Sequence, residues 1–160
     1  MVTIKWCLGK PSGIEIIGPN SNLATAYVEK ATNALATLRQ VSDRDWKIST
    51  SYYTMYYSLY AILMKIGIKC EIHQCTLEFM RQFLTGLITE EDTKLINDAF
   101  KSRNDSQYYV NRKVPDEVYS RITVKATGFM LKCKTILNTI TDKQTQEIRH
   151  ALKMEIKKNS

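Results

Sequence analysis

Apolar residues recur along most of this chain at steps of three and four, the period of a helix that buries one face. The first such stretch begins at Asn20 or Ser21, both of which are good N-caps. The second covers about residues 44–66, preceded by a capping Asp43 and followed by Gly67, a residue type that commonly ends helices. This second stretch is apolar around most of its circumference, which predicts a helix at the centre of the fold.

Further segments with the same period follow. One covers about residues 73–84, and the next begins behind Thr89 with acidic residues in its first turn, where they stabilise the positive end of the helix dipole. Residues 104–114 are polar and predict a loop. Pro115 suits the first position of a long fifth helix.

The two ends of the chain differ from this pattern. Thr141 and Gln144 match a capping box for a basic tail helix, whose charges indicate a solvated face. At the N-terminus, apolar and polar residues alternate, a segment rich in turn-forming residues follows, and a second apolar segment comes next. This pattern predicts a short hairpin or an irregular arm lying on the bundle. We therefore predict an all-α fold, an antiparallel bundle of five or six helices. Its parts are the arm at 1–20, the bundle at 21–140 and the tail of the same domain at 141–160.

Length and charge narrow the class of protein. The 160 residues suit one domain, and the net charge of +7 favours polyanionic partners, nucleic acid first. No run approaches the ~18 apolar residues that a membrane span needs, and the first residues lack the apolar stretch of a signal peptide. These features predict a cytoplasmic protein with no membrane contact and with its four cysteines reduced, namely Cys7, Cys70, Cys75 and Cys133.

We expect no cofactor and no metal. Cys70, His73 and Cys75 are potential zinc ligands, but their spacing is irregular for a zinc site, and half-buried thiols with a capping histidine explain them better. The sequence contains no glycine-rich phosphate loop, nucleophile elbow or pair of catalytic carboxylates.

Arg103 departs from the core pattern. It follows Ile96 by seven residues and Ala99 by four, so it lies on the apolar face of its helix. An arginine in such a place is usually paired or faces a ligand, and its guanidinium suits phosphate. The alternative is an arginine at a fraying helix end that reaches water. The residues after it add cations, aromatic rings and hydrogen-bonding groups typical of RNA or nucleotide sites: Asn104, Asp105, Tyr108, Tyr109, Arg112 and Lys113.

Three segments together resemble the HEPN family of small helical-bundle proteins. The aromatic run at residues 51–63 resembles the family's second helix, and residues 68–73 resemble its Lys-Thr-His stretch. Residues 99–108 resemble the family's arginine motif, in which Arg is followed by a polar residue and, a few positions on, by His or Tyr.

The resemblance implies a homodimer whose arginine motifs face a shared cleft. It further implies RNA cleavage without metal in active members, and pairing of many members with a nucleotidyltransferase-type antitoxin. In this chain Arg103 would anchor phosphate, Asn104 and Asp105 would orient it, and Tyr108 would occupy the position of the catalytic histidine. Because tyrosine titrates near 10 and histidine near 6.5, Tyr108 is a poor general base. Tyr53 and His73 are further candidates for RNA contact, and His73 would supply acid–base chemistry if it lay near Arg103.

Three hypotheses remain open. The first is a HEPN-type, RNA-directed, toxin-like protein that acts as a metal-independent endoribonuclease through the ribose 2′-hydroxyl. The second is a non-catalytic module that binds nucleotide or a partner, which the tyrosine at position 108 favours. The third is a purely structural bundle, which leaves the inward position of Arg103 unexplained.

Overall fold

The structure is a computed structural model that describes residues 2–160, and it contains seven helices and two short strands. In chain order these are α1 (Ile4–Leu8), β1 (Ile14–Ile16), α2 (Ser21–Gln40), α3 (Arg44–Ile66), β2 (Ile68–Cys70), α4 (His73–Phe83), α5 (Glu90–Tyr108), α6 (Asp116–Thr139) and α7 (Asp142–Asn159). The mostly helical fold confirms the predicted class. The helix number exceeds the predicted five or six because α1 and the tail helix both form.

Helix α3 is the centre of the fold, as its apolar circumference predicts, and α2, α5 and α6 pack around it. Its cap is Asp43, whose side chain accepts a hydrogen bond from the backbone N–H of Trp46 at 3.0 Å. It ends at Gly67 in the left-handed conformation, with φ of 78°. A side chain there would also meet the carbonyl oxygen of Ile17, so the position requires glycine. Along its length α3 buries Tyr52, Met55, Leu59, Ile62 and Leu63.

Of the two alternatives for the N-terminal arm, a hairpin or an irregular arm, the hairpin is wrong for the described residues 2–20. Thr3 caps α1, a short helix, where the alternation of the first residues predicts a strand. Strand β1 pairs antiparallel with β2, Ile14 opposite Cys70, rather than with its own neighbour in sequence. A five-residue segment is too short for its period to separate helix from strand. Strand β1 pairs with β2 because β2 directly follows α3 and is held in place by the bundle.

The prediction of four reduced cysteines is also wrong. The sulfur atoms of Cys7 and Cys75 are bonded and tie α1 to the first turn of α4, whereas Cys70 and Cys133 are free and buried. The bonded pair is separated by 68 positions, so only the packing of α1 against α4 brings it together.

The basic tail is docked rather than free. Its capping box is present as predicted, and Leu152 is fully buried. Nη1 of Arg149 donates to the carbonyl oxygens of Ile17, Ile66 and Gly67 at 2.7, 3.1 and 2.9 Å. Arg149 therefore supplies a donor to the carbonyl oxygens of Ile17 and Ile66, and a second donor to that of Gly67, which also accepts from the N–H of Ile17.

Helix α5 extends further than predicted, since residues 104–108 are helical and the loop begins only at Tyr109. Buried Leu95, Ile96 and Ala99 hold the helix on the core, so its polar last turns remain helical. Within residues 2–160, no helix combines the length and apolar composition needed to cross a bilayer.

Candidate functional site

Arg103 lies half-buried between the last turns of α5 and the first half of α3. Its Nη2 donates a hydrogen bond to the hydroxyl of Tyr53 at 2.8 Å, and its Nη1 donates to Oδ1 of Asn104 at 3.0 Å. The central carbon of the guanidinium lies 5.5 Å from the ring centres of both Tyr53 and Tyr108. Two hydrogen bonds and two aromatic rings thus hold the cation in one orientation.

The charge of Arg103 has no acidic partner among the described residues, because no carboxylate of residues 2–160 lies within ion-pair distance of it. Its Nε is buried and makes no hydrogen bond. A partly buried cation without a counter-charge is unfavourable until an anion joins it. The guanidinium is therefore positioned to bind an anion with its remaining N–H groups.

His73 begins α4 and lies beside this arginine. Its ring stacks on Tyr56 with centroids 4.1 Å apart, and its Nδ1 shares a hydrogen bond of 2.8 Å with the hydroxyl of Tyr52. Burial lowers the pKa of His73, and the positive charge of Arg103 lowers it further. Burial raises the pKa of Tyr52 far above its ordinary value, so its hydroxyl stays protonated. His73 is therefore a neutral imidazole at pH 7, able to accept a proton.

Asp105 does not face the same group as Asn104. Its carboxylate accepts from Nη1 of Arg112 at 2.9 Å, and the guanidinium of Arg112 lies 3.6 Å from the ring centre of Tyr109. The predicted role of Asp105 in orienting a ligand on Arg103 has no support from this geometry, since Asp105 fixes the following loop instead.

That loop borders a second concave surface. A cavity of about 510 Å³ is lined by Arg44, Tyr109, Arg112 and Lys113, among others. Arg44 is held there by the carbonyl oxygen of Val114 and the carboxylate of Asp116, each at 2.8 Å. Three cations, Arg44, Arg112 and Lys113, thus line this cavity.

The two tyrosines at the end of α5 are open to solvent. Tyr108 is 67% exposed and Tyr109 is 44% exposed. Exposed rings beside cations are suited to stacking on bases.

The structure brings together most of the residues that the sequence singles out. Arg103, Asn104, Tyr53, Tyr108 and His73 form one site, which extends along the chain to Tyr109, Arg112 and Lys113. Sequence reasoning missed Tyr52 and Arg44. Tyr52 belongs to the aromatic run that resembles the family helix, which is a usable signal, whereas nothing in the sequence marks Arg44.

The potential zinc ligands Cys70, His73 and Cys75 do not form a metal site in the fold. Cys75 is bonded to Cys7, and His73 is engaged by Tyr52. Across residues 2–160, no group of three or more His, Cys, Asp or Glu side chains is placed to hold a metal ion.

Comparison with known proteins gives one distant relative and no family assignment. No family model matches the chain. A UPF0332 protein from Archaeoglobus fulgidus is 26% identical over 91 residues, which cover 56% of this chain and 73% of that protein. The chain is thus similar to a UPF0332 protein, whose name states no activity.

Proposed function

We propose that this chain is a HEPN-type, RNA-directed protein that binds an RNA phosphate at Arg103. One observation supports the proposal above all. The guanidinium is half-buried, oriented by Tyr53 and Asn104, and has no carboxylate partner among residues 2–160. In a purely structural bundle this uncompensated charge would lower stability and serve no function.

The surroundings support RNA as the source of the phosphate. The net charge of +7 attracts polyanions, and Arg112 with Lys113 extends the positive surface along the loop after α5. Exposed Tyr108 and Tyr109 offer rings on which unpaired bases can stack. Single-stranded RNA, whose bases are free to stack, fits this surface better than a duplex does.

The HEPN-like segments and the distant similarity to a UPF0332 protein support the rest of the assignment. The proposal includes a homodimer and a toxin-like role beside a nucleotidyltransferase-type antitoxin. The proposal also places the protein in the cytoplasm, where it would encounter RNA. The disulfide between Cys7 and Cys75 runs against that location, because cellular thiols keep most cytoplasmic cysteines reduced.

A second candidate function, metal-independent RNA cleavage, is favoured by the position of His73. A neutral imidazole beside the phosphate-binding arginine can take the proton of a ribose 2′-hydroxyl as its oxygen attacks phosphorus. Arg103 would stabilise the negative charge that develops on the phosphoryl oxygens. The bond from phosphorus to the 5′-oxygen breaks, and that oxygen takes a proton from the imidazolium. The products are a 2′,3′-cyclic phosphate and a 5′-hydroxyl.

Fluorescence anisotropy with a labelled single-stranded RNA tests binding. We expect Arg103→Ala to weaken affinity about 10-fold or more, since a charge-assisted hydrogen bond contributes roughly 1.5–3 kcal/mol. Arg39→Ala is the matched control, because Arg39 is exposed on α2 and its loss removes the same charge. Equal effects of the two substitutions would refute a specific site at Arg103.

Cleavage is tested separately with the same RNA in EDTA. His73→Gln should abolish formation of the cyclic phosphate and leave RNA affinity within about 2-fold of the unsubstituted protein. RNA that binds but stays intact with the unsubstituted protein would assign the chain to binding alone.

A further inference from the structure

A further cavity is lined in part by Phe100 of α5, and nothing in the proposed function assigns it an occupant. It has a volume of about 300 Å³ and opens between α4, α5 and the start of the chain. Its apolar walls are Val2, Leu77 and Phe100. This volume is at the lower end of the ~300–1,000 Å³ typical of ligand pockets, so the cavity suits a flat, base-sized group.

One residue that lines the cavity, Phe100, lies one turn before Arg103 on α5. Phe100 precedes Arg103 by three residues on α5, which places the two positions on one side of the helix and about 4.5 Å apart along its axis. The ring of Phe100 lies 5.6 Å from that of Tyr52 and 6.4 Å from that of His73. Gln74, which lines the cavity, follows His73 directly. A phosphate on Arg103 would therefore lie about one helical turn from a residue that lines the cavity.

Glu78 lines the cavity with a carboxylate that is held in one orientation. The side chain of Glu78 is only 9% exposed, and Arg81 holds it by two hydrogen bonds, from Nε at 2.8 Å and from Nη2 at 2.5 Å. Each carboxylate oxygen accepts one of these bonds and keeps further acceptor capacity. The result is a pair of acceptors fixed in position at the side of an aromatic ring.

We propose that this cavity binds a guanine base of the RNA whose phosphate lies on Arg103. Guanine is the base that presents two adjacent N–H donors, N1–H and the N2 amino group, on its Watson–Crick edge. Those donors match the two oxygens of Glu78, while the ring packs against Phe100. The amide groups of Gln74 and Asn97 at the cavity wall can meet the remaining polar atoms of the base. The inference rests on the proposed function in taking the base to be part of RNA.

Ligand-observed NMR titrations with GMP, AMP, CMP, UMP and guanosine test the inference. We expect GMP to bind about 10-fold more tightly than AMP, the scale of a good bidentate base contact. Glu78→Gln should remove this preference, because it replaces one acceptor by a donor. Glu29→Gln, at an exposed position of α2, is the control with the same change in charge.

The surface residue Gln74 supplies a variant that leaves the ion pair between Glu78 and Arg81 intact. Gln74→Ala should reduce the preference for GMP several-fold with an unchanged circular dichroism spectrum. Equal affinity for the four nucleotides, or equal losses for all four in Glu78→Gln, would overturn the guanine pocket.

The two proposals fail in different ways. Arg103→Ala should weaken the four nucleotides alike and leave guanosine, which has no phosphate, unchanged. Guanosine binding that phosphate does not improve would overturn the arginine site and leave the pocket. Phosphate-dependent binding without base preference would overturn the pocket and leave the arginine site.

Discussion

The hydroxyl of Tyr53 accepts a hydrogen bond from Nη2 of Arg103 at 2.8 Å and joins the central helix α3 to the end of α5. The bond spans 50 positions of sequence. It fixes the orientation of the guanidinium, whose buried Nε remains without a hydrogen-bond partner. The tyrosine thus sets the direction in which the arginine presents its charge.

Removal of that hydroxyl tests its orienting role. Tyr53→Phe should weaken RNA binding about 3-fold to 10-fold, less than Arg103→Ala does, because the charge remains but its orientation is freed. Tyr57→Phe is the matched control, one turn along α3, with its ring stacked on that of Tyr53 at 5.4 Å. Anisotropy with the RNA used for Arg103 measures both. Equal affinities of the two variants would contradict the orienting role.

The burial of His73, together with the positive charge of Arg103, predicts a pH effect on stability. The pKa of His73 is lowered in the folded state, so the unfolded chain binds a proton more readily near pH 6. The contribution of neutral His73 to the free energy of unfolding should therefore be fully present above about pH 6.5, the ordinary pKa of histidine in an unfolded chain. It should be lost as the pH falls below that value. Urea denaturation at several pH values should show this decline, and His73→Gln should reduce it.

The effect of Arg103 on His73 can be read from NMR titration of the histidine signals. Arg103→Ala should raise the pKa of His73, because it removes a nearby positive charge. The chain has one other histidine, His150 on α7, so the His73→Gln variant assigns the two signals. A His73 titration that is the same in both proteins would show that the two groups do not interact.

The disulfide between Cys7 and Cys75 should stabilise the fold. Thiol titration in denaturant without reductant should count two free cysteines, Cys70 and Cys133, and reduction should release the other two. Closure of a loop of this length contributes roughly 2–4 kcal/mol, so reductant should lower the urea midpoint. The double substitution Cys7→Ala and Cys75→Ala should lower it similarly and lose its response to reductant. Four free thiols before reduction would contradict the pairing.

Arg149 should be structural. Arg149→Ala removes the side-chain donor from the carbonyl oxygens of Ile17, Ile66 and Gly67, of which Gly67 keeps the N–H of Ile17, so we expect a loss of about 1–3 kcal/mol in unfolding free energy. Lys153→Ala, at an exposed position of the same helix, should change stability by less than about 0.5 kcal/mol. Both are measured by urea denaturation. A similar small effect of the two substitutions would show that water satisfies those carbonyls.

Part of the candidate site follows from local rules. Arg103 lies on the inward face because helical geometry relates it to Ile96 and Ala99, a few positions away. The proximity of His73 to Arg103 followed from no pattern, because it depends on how α4 packs beside α3 and α5. The cavity at Phe100 was missed for the same reason, since its walls come from three separate segments.

The sequence alone determined helices α2 to α7, apart from the last residues of α5, since caps such as Asp43 and Thr141 and the apolar stripes act over three or four residues. It also determined the face on which Arg103 lies. Tertiary structure alone decided that β1 pairs with β2, that Cys7 meets Cys75 and that Tyr53 orients Arg103. Those contacts join distant segments, and distant segments meet only where burial of the apolar faces places their helices side by side.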